Sequence, residues 1–144
     1  MGRTLVAAGS AVTAVLCAWT GFRYLGVVIP PEPGLEQVGS PSVGGWFVTM
    51  GLLGAAGLLA LGVGQWLAGP RTRLLLLVVL AVVSAGYVAA NAFGLYVVRF
   101  AGPGNIPAGL HQAGLWLGSI LFLGVLLEAM LVIQAQRSLE ERVA

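Results

Sequence analysis

Long apolar stretches alternate with short breaks rich in proline and glycine along this chain. A bilayer core of about 30 Å takes roughly 20 apolar residues per helix. Four stretches meet that length: Thr4–Val28, Trp46–Ala68, Arg73–Val98 and Leu110–Gln134. All seven prolines (Pro30, Pro31, Pro33, Pro41, Pro70, Pro103 and Pro107) lie between or beside them. No span therefore contains a ring that removes an amide donor, and none has the broken form that marks many transporter sites. Short links between apolar helices predict an all-α integral membrane protein, a single up-down-up-down bundle of four transmembrane helices. The expected domain covers 1–144, with an outer loop at 29–45 and a cytoplasmic tail at 135–144.

Composition sharpens this reading. Of the 144 residues, 58% are hydrophobic and only 8% are charged, against about 25% charged in an ordinary soluble domain. Too few polar groups exist to cover a water-soluble fold. All basic residues are Arg and all acidic residues are Glu. A net charge of +2 with no basic stripe excludes a nucleic-acid partner. A single cysteine, Cys17, excludes an internal disulfide, and a single histidine, His111, excludes bis-histidine haem ligation. The start, Met1-Gly2-Arg3 before an apolar run, has the outline of a signal peptide. The run is long and no small-x-small site follows it, so the segment is expected to stay as the first span.

Arginine placement predicts the orientation. With both termini cytoplasmic, Arg3, Arg71, Arg73, Arg137 and Arg142 lie inside and only Arg23 and Arg99 outside. The expected location is the cytoplasmic (inner) membrane of a bacterium or archaeon. In this frame Trp19, Phe22, Tyr24, Trp46, Phe47, Tyr96, Phe100 and Trp116 mark the outer interface and Trp66 the inner one, where amphipathic rings favour the headgroup level.

Lipid gives apolar helices no reason to associate, so small residues that allow close approach matter. The third span has two adjacent stripes, Ala81, Ala85 and Ala89, then Gly86, Ala90 and Gly94. The second carries Gly51, Gly54 and Gly57, and the fourth a G-x-x-x-G pair, Gly114 and Gly118. These positions are expected to pack helices within the bundle, with a subunit interface as the alternative.

Polar residues within the spans are the candidate chemistry. Glu128 shares a helical face with Gly114, Gly118, Leu121, Val125 and Val132. It is a candidate proton or ion site together with Gln65, or a structural carboxyl satisfied by Gln65 or Arg71. Asn91 shares a side of the third span with Ser84 and Tyr87. With Arg23, Arg99, His111 and Gln112 it is a candidate outer polar cluster able to take a quinone headgroup or a lipid phosphate. Cys17, in the apolar middle of the first span, reads as a packing residue. The run His111 to Gly118 locally resembles the His-x4-Trp-x-Gly segment of copper-resistance-type membrane domains. That resemblance is confined to the run, and no metal site is expected from a lone histidine.

No nucleophile–base pair or phosphate loop is present, so a catalytic role is not expected. The leading expectation is a non-catalytic accessory or scaffolding subunit of a larger respiratory, photosynthetic or transport complex. Its partners would be other membrane subunits, copies of itself, or lipids. One alternative is a small oligomeric transporter or channel using Glu128, which requires that residue to face a water-accessible cavity. The other is a lipid- or quinone-binding membrane enzyme or redox subunit, which requires Arg23, Asn91, Arg99 and His111 to converge.

Overall fold

The computed structural model describes residues 2–26, 43–101 and 108–143. These residues form four helices: α1 (Gly2–Arg23), α2 (Val43–Leu67), α3 (Pro70–Ala101) and α4 (Ala108–Val143). Each contains a stretch long and apolar enough to cross a membrane. A short 3-10 turn, Tyr24–Gly26, follows α1. Most of the expected loop at 29–45 lies outside the described residues, as do the prolines at 30, 31, 33, 41, 103 and 107.

The helix bounds depart from the sequence expectation at every end, and three of these departures have a local cause. α1 ends at Arg23, and the 3-10 turn carries the chain on. α3 begins at Pro70, leaving only Ala68 and Gly69 between it and α2. Proline suits a first helical turn, where its missing amide has no partner to lose. The Arg73 amide then donates to the Gly69 carbonyl at 2.8 Å and closes the first turn. α4 continues through the expected tail to Val143, because Gln134 to Glu141 is a run of helix formers without Gly or Pro. Its 36 residues span about 54 Å at 1.5 Å per residue. That length exceeds a bilayer core of about 30 Å.

α1 packs mainly on α2, and α3 mainly on α4. Glycine sets the closeness of the first pair. A Cβ on Gly21 would stand 2.8 Å from the Phe47 carbonyl oxygen, and one on Gly51 would stand 3.0 Å from that of Cys17. At Gly62 a Cβ would stand 2.6 Å from the Cβ of Ser10. The two pairs meet around Leu58, Leu77, Leu80 and Val125, all fully buried, with Val6, Ala14, Ala55 and Leu121 around them.

Outside that seam the surface is apolar. Trp19, Phe22, Trp46, Tyr96 and Trp116 are exposed, as are many leucines and valines. Such a surface matches hydrocarbon and not water. Three buried hydroxyls turn back on their own helices: Thr13, Thr20 and Ser84 each donate to the carbonyl four residues earlier. These bonds satisfy the hydroxyls without an interhelical partner. One end of the bundle groups Arg3, Trp66 and Arg73, and is called the basic end below. The other groups Tyr24, Phe47, Asn91 and His111, and is called the aromatic end.

Candidate functional site

The aromatic end holds a hydrogen-bonded chain that crosses three elements. Asn91 of α3 donates through Nδ2 to the Tyr87 carbonyl at 2.8 Å. Its Oδ1 is therefore the acceptor for His111 Nδ1, 3.1 Å away on α4. A neutral imidazole has one donor and one acceptor nitrogen. The network thus assigns the proton to Nδ1 and leaves Nε2 to accept from the Tyr24 hydroxyl at 2.5 Å. Asn91, His111 and Tyr24 are all buried. Burial in an apolar setting makes each unpaired polar group costly, so the three hold one another in place.

Local sequence explains the arrangement. The turn after Arg23 brings the Tyr24 ring onto Phe47, with centroids 4.0 Å apart and planes 11° from parallel. The same ring meets His111 edge-on at 5.7 Å. Glycines leave the room. A Cβ on Gly94 would lie 2.6 Å from His111 ring atoms, and one on Gly114 would collide with the Asn91 amide. Gly118 faces Tyr87 and Val88 in the same way: a Cβ there would stand only 2.9 Å from side-chain carbons of both.

Beside this chain lies an apolar cavity of about 290 Å³. Cys17, Thr20 and Gly21 line it from α1, Gly51, Gly54 and Leu58 from α2, and Val83, Tyr87 and Asn91 from α3, with Tyr24, Phe47 and His111 at its polar end. The Tyr87 hydroxyl is buried and has no hydrogen-bond partner among the described residues. Three aromatic rings, among them that of Tyr87 with its unpartnered hydroxyl, and a Tyr–His–Asn chain therefore line one small space.

The expected outer cluster is only partly assembled. Asn91 and His111 meet, whereas Arg23, Arg99 and Gln112 are exposed. Long cationic chains reach outward to the interface and need no internal site. Tyr24 and Tyr87 complete the site, although the sequence pattern placed Tyr24 only as an interfacial ring. The first turn of an α4 returning past the end of α1 was the available signal.

At the basic end Glu128 is ion-paired with Arg73, their side chains 14% and 15% exposed. The partner is neither Gln65 nor Arg71. Arg71 is exposed on another face, near Gln136 and Glu140. Gln65 is fully buried, and neither of its amide atoms has a hydrogen-bond partner among the described residues. Glu128 and Arg73 border an open recess of about 500 Å³ with Gly2, Arg3, Thr4 and Trp66.

The small-residue positions divide. Gly51, Gly54, Gly94, Gly114 and Gly118 each face a neighbouring helix closely. Ala81 is half-buried against the core. Ala85, Gly86 and Ala89 are exposed, and a Cβ on Gly57 or Gly86 would meet nothing within 4 Å. Among the described residues no three His, Cys, Asp or Glu side chains gather as a metal site.

Comparison with known proteins returns no matching family, no matching curated protein and no matching solved structure.

Proposed function

We propose that this is a small helical membrane protein that binds a quinone-class molecule in the aromatic-end cavity. The observation that carries the reading is that Tyr87, whose buried hydroxyl has no partner among the described residues, lines the same apolar space as the Tyr24–His111–Asn91 chain. Binding sites of this class are mostly apolar, with a few polar groups that fix orientation. Tyr87 can donate to a quinone carbonyl. The Tyr24 O–H donates to His111, and its oxygen keeps lone pairs able to accept from a quinol hydroxyl. The flat rings of Tyr24, Phe47 and Tyr87 suit a flat headgroup.

The bundle is read as up-down-up-down, supported by the pairing of Arg3 with Trp66, Tyr24 with His111 and Gly94 with His111. Both termini are read as cytoplasmic in a bacterial or archaeal inner membrane, from the arginine distribution. The ligand would then sit in the outer half of the bilayer.

The test is a titration of the full-length protein in mild detergent with duroquinone, followed by calorimetry. Saturable binding at one site, weakened roughly tenfold by Tyr87→Phe, matches the loss of about 1.4 kcal/mol, one hydrogen bond. Gly54→Phe fills the cavity and should abolish binding. Equal binding by wild type and Gly54→Phe sinks the reading.

A second reading rests on a separate observation. Ala85, Gly86 and Ala89 form an exposed strip of small residues on α3 that the bundle leaves unused. Such strips allow close helix contact. They support a role as a non-catalytic accessory subunit of a larger membrane complex, or as one copy in an oligomer. Mild-detergent purification with mass spectrometry of co-eluting proteins distinguishes the two. A transport role for Glu128 has less support, because Arg73 already holds the carboxylate.

A further inference from the structure

We infer that the groove between α1 and α4, with the basic recess at its end, is a site for one anionic phospholipid. This rests on different residues from the quinone reading and stands apart from it.

The groove has a volume of about 610 Å³ and an almost wholly apolar lining. Its walls are Leu5 and Val12 from α1 and Ile120 and Leu127 from α4, all more than half exposed. Its floor is shallow at Gly124, where a Cβ would meet nothing within 4 Å. An acyl chain is slim enough for such a slot. A second helix, about 10 Å across with its side chains, would be held off by the four projecting walls.

The groove runs into the basic recess. Gly2 and Glu128 line both spaces, so the two adjoin. The recess is bordered by two guanidinium groups, Arg3 and Arg73, and one carboxylate, Glu128. Glu128 accepts from one terminal nitrogen of Arg73, and the buried Nε of Arg73 has no partner among the described residues. Arg3 is exposed and forms no ion pair among the described residues. The Trp66 indole donates to the Arg3 carbonyl at 3.3 Å, which ties α1 to α2 and leaves the Arg3 side chain free.

The charge at the end of the groove is thus net positive. A phosphatidylglycerol head brings a phosphate and no cation, so it complements this end. A phosphatidylcholine head brings its own ammonium, which the two arginines repel. Trp66 lines the same recess, and an indole favours the headgroup level. Guanidinium suits phosphate because its planar fork donates two parallel hydrogen bonds.

The experiment is native mass spectrometry of the full-length protein in detergent, with palmitoyl-oleoyl phosphatidylglycerol or the matching phosphatidylcholine added. The expected result is one retained phosphatidylglycerol per chain, at least fivefold over phosphatidylcholine. Arg3→Gln should erase that preference. Gly124→Phe should block the slot and remove retention of both lipids, while helicity by circular dichroism is unchanged. Arg73→Gln is avoided because it would unpair Glu128. Equal retention of the two lipids by wild type overturns the inference, and so does unchanged phosphatidylglycerol retention in either variant. Gly54→Phe, which fills only the aromatic-end cavity, should leave lipid retention intact.

Discussion

The Tyr24 hydroxyl lies 2.5 Å from Nε2 of His111, 87 positions further along the chain. This contact ties the turn after α1 to the first turn of α4. Asn91, whose Oδ1 accepts from Nδ1, fixes the proton on the far side of the imidazole and leaves Nε2 to accept from Tyr24. One side chain thereby decides which face of the histidine can donate.

The chain of hydrogen bonds should show energetic coupling. Tyr24→Phe removes one interhelical bond and should cost about 1 kcal/mol, within the range measured for such bonds in membranes. His111→Leu strands both the Tyr24 hydroxyl and the Asn91 carbonyl, so it should cost more, about 1–3 kcal/mol. A double-mutant cycle read by unfolding in mixed micelles should give a coupling of roughly 0.5–1 kcal/mol. Strict additivity would mean the contact carries no stabilisation.

Glycine substitutions should divide by what each position faces. Gly94→Ala and Gly114→Ala drive a methyl into His111 and Asn91. Overpacking of this kind costs about 1–3 kcal/mol. Gly57→Ala and Gly86→Ala meet open space and should stabilise by up to about 1 kcal/mol, through helix propensity alone. Thermal unfolding of the four variants side by side checks the ordering. An equal loss in all four would contradict it.

The four spans were legible in the sequence because a run of apolar residues has one physical outlet, the bilayer. Their pairing was less so. Gly114 and Gly118 could be read as small, but not that Gly114 is small because Asn91 sits against it. That relation needs the rotation of α3 against α4, which hydropathy does not encode. Glu128 could be placed on a buried face of α4, yet its partner was misjudged. Arg73 looked like the boundary of the third span. Pro70 starts the helix one turn earlier, and this puts Arg73 within its ordered first turn beside Glu128. Cys17 was legible as a small residue in an apolar span, but the cavity beside it emerges only when α1, α2 and α3 are brought together.

The Arg73–Glu128 pair should behave as a unit. Arg73→Leu leaves a mostly buried carboxylate without its counter-charge and should destabilise by about 3 kcal/mol. Glu128→Leu should do similar harm by stranding the guanidinium. The double variant, Arg73→Leu with Glu128→Leu, should recover most of the loss, since a well-packed apolar pair can replace an ion pair at little net cost. Chemical unfolding in detergent would read all three. A double variant as unstable as the sum of the singles would show that the pair is not a closed unit.

Cys17 provides a direct reporter of cavity occupancy. It is the chain's one cysteine, is partly buried, and lines the cavity together with Gly54. A Cβ on Gly54 would stand 3.0 Å from the Cys17 sulfur, so anything that fills the space beside Gly54 crowds the thiol. N-ethylmaleimide should label the folded protein slowly and the denatured protein fast. Duroquinone, whose four non-carbonyl ring carbons are all methylated and resist thiol addition, should slow labelling further by occupying the cavity. The expected slowing is at least threefold at saturation, and Gly54→Phe should show slow labelling with or without the quinone. Labelling of wild type that is indifferent to duroquinone would place the quinone elsewhere or nowhere on this chain.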